Sequence, residues 1–267
     1  AILCTTHSHI SVDETGAPER VLGTKLITVP THDAKLRPSD IEKVSSMFGN
    51  QHAPQPGIVA ITQVTELGTV YSPLEIRAIC DAAHAVGMLV YLDGARIANA
   101  TATLGGTRDV LRSFTRDAGV DAMTFGCTKA GGVFGEAVVF FNTTFANRSV
   151  YVRKQTTQLH SKMRFIAAQY EAMLKDDLFI TLGTRANAAA KQLFDSLHDI
   201  ASLRLATAPA ANSMFPIIEK PEREILQKWA HFYDWDTALN QVRWMTAWDV
   251  EDTEIQAFAA GVRSVLG

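Results

Sequence analysis

A carboxylate and a guanidinium stand close together after a predicted strand. The apolar run 88–92 ends at Asp93-Gly94, and Arg96 follows that glycine by two residues. An aspartate in this position commonly starts a turn or caps a helix, and Arg96 would then be a solvated surface residue. Alternatively, Asp93 is an acid held in a cleft, and Arg96 lies nearby to bind an anionic group of a substrate.

Lys129 lies in a loop of small residues after a second predicted strand, 121–125. The surrounding loop, 126–132, carries no other charge. Most lysines are surface residues, and that is the simplest interpretation. Small neighbours, however, would let a cofactor approach closely, and desolvation would lower the pKa of the amine and make it nucleophilic.

A lysine and an aspartate at the ends of two strands are the groups that a pyridoxal phosphate enzyme requires. Lys129 would form a Schiff base with the cofactor. Asp93 would keep the pyridine nitrogen protonated, so that the ring accepts electrons. The pair therefore predicts pyridoxal 5′-phosphate as the cofactor.

Two histidines near the start of the chain offer a third kind of chemistry. His7 and His9 would share one face of a strand and could form half of a metal site. The sequence has no third ligand at a convincing spacing, so we predict no metal. One imidazole stacked on a cofactor ring is the better functional interpretation, and an ordinary core or loop histidine is the alternative.

The elements that must position these residues begin with two predicted helices. Ser39 and Glu42 have the spacing of a capping box, as do Ser72 and Glu75. Each helix would end before a glycine.

Short apolar segments between and after these helices predict strands that lie in a mostly parallel sheet with helices on both faces. Ligands of such α/β folds lie beyond the carboxyl ends of the strands, where Gln63, Asp93 and the loop 126–132 would meet. The predicted strands are 57–63, 88–92, 121–125 and 136–141.

The second half of the chain predicts a different organisation. A helix-rich stretch, 153–201, would break at Gly183, and short strands and a last helix would follow. We therefore predict a large domain over 1–152, and connecting helices with a small C-terminal α+β domain over 153–267. The later strands are predicted at 203–206, 214–218 and 242–246, and the last helix at 253–265.

Composition excludes several classes of protein. The 267 residues include 25 Lys and Arg against 28 Asp and Glu, so nucleic acid is not expected as the main partner. No apolar run could span a bilayer, and the chain does not begin with a secretory signal. The three cysteines have neither metal-ligand nor disulfide spacing, which favours a reducing, cytoplasmic location.

Four motifs, taken in order, resemble the low-specificity L-threonine aldolases, a family within the aspartate aminotransferase-like (fold type I) pyridoxal phosphate enzymes. Together they run from about residue 1 to the C-terminus. The motifs are Ser8-His9-Ile10 with Glu14-Thr15-Gly16-Ala17; Asp93-Gly94-Ala95-Arg96-Ile97 with Asn99-Ala100; Phe125-Gly126 through Thr128-Lys129; and Val242-Arg243 through Asp249.

The resemblance implies a role for each matching residue. Lys129 would be the Schiff-base lysine and Asp93 the partner of the pyridine nitrogen. His9 would stack on the cofactor ring and take part in base chemistry at the substrate hydroxyl. Arg96 and Arg243 would grip the carboxylate of the amino acid, one from each lobe.

Further positions are implied by the same resemblance. Thr128, next to the lysine, would contact the cofactor. Lys162 and Arg164 lie near a basic position that some members direct at the phosphate or at a neighbouring subunit. Where many members have a second active-site histidine, this chain has Glu66, which is either a base acting through water or a structural carboxylate.

The family also has an N-terminal segment that forms a glycine- and threonine-containing cup for the cofactor phosphate. The present chain opens at Ala1, within a predicted strand, which favours a fragment or a processed product.

The resemblance implies retro-aldol cleavage of a β-hydroxy-α-amino acid, such as threonine or allo-threonine, to glycine and an aldehyde. The amino acid would be the small-molecule partner, and a homodimer or homotetramer is expected. Two alternatives stay open. One is another fold type I lyase, such as a phenylserine aldolase or a β-eliminating lyase, and the other is a truncated, non-catalytic chain.

Overall fold

The structure is a computed structural model that describes residues 1–205 and 207–267. Its elements alternate between strand and helix over the first half of the chain, as predicted. The strands are β1 Ile2–Thr5, β2 Leu26–Val29, β3 Ile58–Thr62, β4 Leu89–Gly94, β5 Ala122–Gly126, β6 Glu136–Phe140, β7 Ser213–Met214, β8 Tyr233–Asp236 and β9 Gln241–Met245. The helices are α1 His9–Val12, α2 Ala17–Leu22, α3 Pro38–Val44, α4 Pro73–Ala85, α5 Ile97–Leu104, α6 Arg108–Ser113, α7 Thr143–Ala146, α8 Ser149–Thr157, α9 Met163–Leu174, α10 Leu178–Asp195, α11 Lys220–Leu226 and α12 Asp252–Leu266.

A six-stranded sheet forms the centre of the first half. Its strand order is β2-β1-β3-β4-β5-β6. Every neighbouring pair is parallel except β5 and β6, which are antiparallel. The second half adds a three-stranded antiparallel sheet with the order β7-β9-β8. The predicted α/β fold with a small C-terminal α+β part is confirmed.

Local capping chemistry explains one predicted helix start and corrects the other. Ser72 Oγ accepts the Glu75 N–H at 3.2 Å and the Glu75 carboxylate accepts the Ser72 N–H at 2.7 Å, so α4 begins as predicted. The Ser39 capping box is wrong. Pro38 occupies the first turn of α3, and Asp40 accepts the N–H of Arg37 at 2.8 Å, which moves the helix start towards the N-terminus.

The predicted helix break at Gly183 is also wrong, because this glycine lies inside α10. The chain breaks earlier, at the short 3-10 turn Lys175–Asp177. A Cβ atom at Gly183 would lie 2.5 Å from the carbonyl oxygen of Ala98. The glycine therefore permits backbone-to-backbone packing of α10 against α5, where a larger residue would separate the two helices.

The C-terminal strands differ from their predicted bounds. Of the predicted strand 203–206, Arg204 makes an isolated bridge to Ile217, and Ala206 lies outside the described residues. The predicted strand 214–218 is reduced to β7, because that segment contains Pro216, which lacks an N–H donor. The strand β8 escaped prediction, since its sequence Tyr-Asp-Trp-Asp is half charged.

Two clusters of buried apolar side chains form the core. The first surrounds the six-stranded sheet and includes Leu92 of β4 and Leu182 of α10. The second surrounds the three-stranded sheet and includes Leu193 of α10 and Trp244 of β9. One helix, α10, therefore contributes to both clusters.

The division of the chain at residue 152 stays a prediction. None of the described helices combines the length and apolarity that a bilayer crossing requires.

The close contact at Gly183 generates a stability prediction. We expect Gly183→Ala to lower the free energy of unfolding by about 1–3 kcal/mol, because the added methyl group overlaps the Ala98 backbone. The gain of about 1 kcal/mol in helix propensity does not offset this overlap. Urea unfolding measures the difference. Gly57→Ala is the matched control, since its Cβ would meet no atom closer than 4.0 Å, and equal stabilities of the two variants would contradict the prediction.

Candidate active site

The carboxyl ends of three neighbouring parallel strands lie side by side. In the register of the sheet, Thr62 of β3 pairs with Asp93 of β4, and Asp93 pairs with Thr124 of β5. The chain leaves β5 at Gly126 and forms the 3-10 turn Thr128–Ala130, which carries Lys129. The strand pairing thus brings the predicted aspartate and the predicted lysine to the same edge.

A glycine allows the loops after β4 and β5 to touch through their backbones. A Cβ atom at Gly126 would lie 2.5 Å from the carbonyl oxygen of Ala95. Ala95 in turn donates its N–H to Oδ1 of Asp93 at 2.9 Å, which fixes the carboxylate at the strand end. No donor from the described residues bonds the other oxygen, Oδ2.

Lys129 is exposed overall, but its amine is influenced by the charges of the site. Partial desolvation lowers the pKa of Lys129, and the nearby Arg96 guanidinium lowers it further. The carboxylate of Asp93 opposes this effect. A larger fraction of the amine is therefore uncharged near neutral pH than in an ordinary lysine, which makes Lys129 a better nucleophile.

The two predicted substrate arginines come together from different parts of the fold. Arg96 follows β4, and Arg243 lies on β9 in the second sheet. Burial lowers the pKa of Arg96, and the neighbouring Arg243 guanidinium lowers it further. The Arg243 guanidinium stacks over the ring of Trp235, 4.7 Å from the ring centroid. Nη2 of Arg96 lies 3.9 Å from the sulfur of Met245, which is on β9, as Arg243 is. Within the described chain, neither arginine forms a salt bridge, so together they could bind a carboxylate.

His9 and Glu66 are joined by a hydrogen bond. The backbone N–H of His9 donates to Oε1 of Glu66 at 2.9 Å, and the hydroxyl of Thr62 donates to the same oxygen at 2.9 Å. The ring of His9 contacts Oε1 of Glu14 through Nδ1 at 2.9 Å. Glu66 is buried, and its other oxygen, Oε2, has no partner among residues 1–205 and 207–267.

The charge on Glu66 is disfavoured by its surroundings. Burial raises the pKa of this carboxyl group, although the hydrogen bonds from His9 and Thr62 oppose the effect. The charge of Asp93 raises the pKa further. Glu66 therefore takes up a proton more readily than an exposed glutamate, as a group that exchanges protons during a reaction must.

Sequence reasoning missed two residues that hold the lysine loop. The carboxylate of Glu136 accepts the backbone N–H groups of Cys127 and Thr128, each at 3.2 Å. Tyr170 donates its hydroxyl proton to the carbonyl oxygen of Phe125 at 3.0 Å. Glu136 is the first residue of β6 and Tyr170 lies in α9, so nothing in their own sequence context indicates these contacts.

Two other predicted cofactor residues lie at the start of α9. Lys162 precedes the helix and Arg164 stacks over Phe165 at 4.7 Å; both side chains are exposed. Thr128 is also exposed and directs its hydroxyl to the carbonyl oxygen of Gly135. The cofactor contacts expected of these three residues stay predictions.

The donor set of the site fits an aldehyde cofactor with a basic ring nitrogen. Lys129 supplies an amine of lowered pKa, and Asp93 supplies a carboxylate oxygen without a partner in the described chain. No set of three His, Cys, Asp or Glu side chains able to hold a metal ion converges anywhere in the described ranges.

The raised pKa of Glu66 generates a prediction about stability and pH. Between the ordinary glutamate pKa and the raised pKa of Glu66 the folded chain keeps a proton that the unfolded chain has lost, so stability falls as pH rises through this interval and is constant above it. We expect Glu66→Gln to be more stable than the wild type by about 1 kcal/mol at pH 8 and indistinguishable from it at pH 4. Urea unfolding at both pH values measures this. Glu42→Gln, an exposed control, should show no such pH dependence, and the same absence in Glu66→Gln would contradict the assignment.

Comparisons with known proteins agree with this arrangement. The family described as Beta-eliminating lyase matches residues 1–221. A low-specificity L-threonine aldolase from Pseudomonas sp. (strain NCIMB 10558) is 37% identical over 268 residues, which cover 100% of this chain and 76% of that protein. Its counterpart from Pseudomonas aeruginosa is 36% identical over 270 residues, with coverages of 100% and 77%. A solved structure of threonine aldolase from Leishmania major has a TM-score of 0.92 and 32% identity, covering 100% of this chain and 78% of that one. The chain therefore belongs to the β-eliminating lyase family, and it is a pyridoxal phosphate-dependent lyase.

Proposed function

We propose that the protein cleaves threonine, allo-threonine or a similar β-hydroxy-α-amino acid by a retro-aldol reaction into glycine and an aldehyde. The observation that carries this proposal is that Lys129 and Asp93 lie at the same edge of the sheet, close to two arginines. His9 and Glu66, which are hydrogen-bonded to each other, lie at this edge too. The names of the curated relatives, low-specificity L-threonine aldolases, support the same reaction.

The cofactor would be held by residues at the strand ends. Lys129 would bind its aldehyde carbon through the amine, and Asp93 would hold the proton on its ring nitrogen through the free Oδ2. His9 would cover the ring, and Thr128, Lys162 and Arg164 would contribute polar contacts. When bound, the cofactor supplies an acceptor for the electrons of the bond that breaks.

The two arginines would fix the substrate. The positive charge of Arg243 lowers the pKa of Arg96, so the two guanidinium groups repel each other. A carboxylate bound between them would relieve this repulsion. Arg96 follows β4 of the large sheet and Arg243 lies on β9 of the small sheet, so the carboxylate would be held from both sides. Such a clamp sets which of the bonds at Cα is directed towards the cofactor.

Proton transfer would fall to His9 and Glu66. One of them would take the proton from the substrate hydroxyl as the Cα–Cβ bond breaks, directly or through water. The ring of His9 is half exposed, whereas Oε2 of Glu66 is buried and has no hydrogen-bond partner in the described chain.

The central test removes the amine. We expect Lys129→Ala to lose threonine cleavage by about 10³-fold or more, because no other amine would bind the cofactor aldehyde, while circular dichroism and melting temperature stay close to the wild type. Released glycine and acetaldehyde measure the reaction. Lys191→Ala is the control, since this exposed lysine pairs with Asp195 at the surface. Wild-type rates in Lys129→Ala would refute the assignment.

A second test addresses the substrate clamp. We expect Arg243→Lys to raise KM for threonine about tenfold or more, because lysine cannot bind a carboxylate with two parallel hydrogen bonds. Arg204→Lys is the control, as Arg204 is exposed and pairs with Glu219. An unchanged KM in Arg243→Lys would remove this residue from the site.

A second candidate function is β-elimination, which the name of the matching family favours. Ammonia and a keto acid, in place of glycine and an aldehyde, would identify it, and phenylserine as the preferred substrate would identify a phenylserine aldolase. A chain that takes up no cofactor, with no label on Lys129 after borohydride reduction, would be non-catalytic, and both proposals would fail.

We further propose that the protein is cytoplasmic and assembles as a homodimer or homotetramer. Cys4, Cys80 and Cys127 are free thiols in the described chain, as in proteins of a reducing compartment. Apolar side chains that include Val133 and Phe134, close to the lysine loop, are exposed to solvent and would be covered by a second subunit. The large domain 1–152 would bind the cofactor, and 153–267 would complete the substrate site.

A further inference from the structure

We propose that Glu14 is a positioning residue for the proposed cleavage: its carboxylate holds Nδ1 of His9 and thereby leaves Nε2 as the atom that receives the hydroxyl proton of the substrate. This inference rests on the proposed function and assigns the proton acceptor within that site. Glu14 belongs to the first of the four motifs that resemble the threonine aldolases.

Two different carboxylates hold His9, one through its backbone and one through its ring. Oε1 of Glu66 accepts the backbone N–H of His9 at 2.9 Å and the hydroxyl of Thr62. Oε1 of Glu14 lies 2.9 Å from Nδ1 of the ring. Glu66 therefore fixes where α1 begins, and the orientation of the imidazole depends on Glu14.

The contact between Glu14 and the ring is itself fixed by the local fold. The helix α1 ends one residue before Asp13, whose N–H donates to the carbonyl oxygen of His9 at 2.9 Å. The carbonyl oxygen of Glu14 then accepts the N–H of Ala17 at 2.9 Å, at the start of α2. Glu14 is only partly exposed, so its side chain is held close to the ring instead of extending into solvent.

The chemistry of the contact determines which ring nitrogen carries the proton. A carboxylate accepts hydrogen bonds and cannot donate them, so Nδ1 must be the N–H of the pair. The neutral ring then has its lone pair on Nε2. In the described part of the chain Nε2 has no hydrogen-bond partner, and the ring is half exposed at the site. Nε2 is therefore free to accept a proton.

His9 accepts one proton in the proposed step and later returns it. The O–H proton passes to Nε2, and the electron pair of that bond forms the carbonyl bond of the aldehyde. The Cα–Cβ bond breaks, and its electron pair stays with the glycine fragment, which gains one proton to become glycine. The imidazolium formed carries protons on both nitrogens. Its positive charge faces Glu14 at Nδ1, and the ring returns to the neutral state when Nε2 gives its proton to Cα of the glycine fragment, directly or through water. One proton thus leaves the hydroxyl and one reaches Cα.

The test first measures the tautomer of His9 by NMR and then measures the kinetics of cleavage. In protein labelled with ¹⁵N-histidine, NMR distinguishes a protonated nitrogen from one with a lone pair, and His9→Gln identifies the signal among the eight histidines. We expect an Nδ1–H tautomer for His9 in the wild type. Glu14→Ala should lose this preference, whereas Glu14→Gln should keep it, because the glutamine side-chain oxygen also accepts a hydrogen bond.

Kinetics should follow the tautomer. We expect Glu14→Ala to lower kcat for threonine cleavage about 10²-fold with little change in KM, because the substrate still binds but its proton acceptor is misplaced. Glu14→Gln should recover part of this loss. Glu19→Ala, an exposed glutamate on α2, is the control and should behave like the wild type. In a His9→Ala background, removal of Glu14 should have no further effect on kcat.

Two results would overturn the inference. One is a wild-type His9 protonated at Nε2 and not at Nδ1. The other is a Glu14→Ala variant with an unchanged tautomer and unchanged kcat. Failure of the proposed function looks different: the wild type would then release no glycine and aldehyde, and the NMR result would still decide whether Glu14 sets the tautomer of His9.

Discussion

The in-register parallel pairing of β3, β4 and β5 is the constraint on which the site depends. Parallel strands place their carboxyl ends at one edge of the sheet. The strand pairing alone therefore brings Asp93 and the turn that carries Lys129 to the same edge. Backbone contact between Gly126 and Ala95 then sets the spacing of the two loops. A side chain at position 126 would separate the groups that the strands bring together. The backbone therefore sets how far apart the β4 and β5 loops lie, and the side chains act within that spacing.

The charges gathered at this edge do not neutralise one another. Besides desolvation, Arg96 and Arg243 lower the pKa of Lys129, and Arg243 lowers the pKa of Arg96. The carboxylate of Asp93 opposes both shifts but does not cancel them. Like charges in a partly desolvated site oppose folding, so this arrangement is not explained by stability. An anion bound between the arginines would remove much of the repulsion. An anionic ligand bound there would therefore stabilise the folded chain.

Prediction from sequence succeeded where the relevant interaction is local. The capping box at Ser72 and the strand ending at Asp93 depend on neighbours within a few residues, and both were found. Gly183 was misread because a lone glycine in a helix suggests a break, whereas its actual cause is contact with Ala98, 85 positions away in sequence (183 − 98). The support that Glu136 gives to the lysine loop depends on the antiparallel register of β5 and β6, which no short motif encodes.

The shared helix α10 has a consequence for how the protein comes apart. Its first half packs around the large sheet and its second half around the small one. If either core were lost, the corresponding half of α10 would expose its apolar stripe to water, and the remaining half would be too short to persist alone. Loss of one core would therefore weaken the other. We therefore expect the two cores to unfold in a single cooperative transition, in which Arg96 and Arg243 lose their positions together.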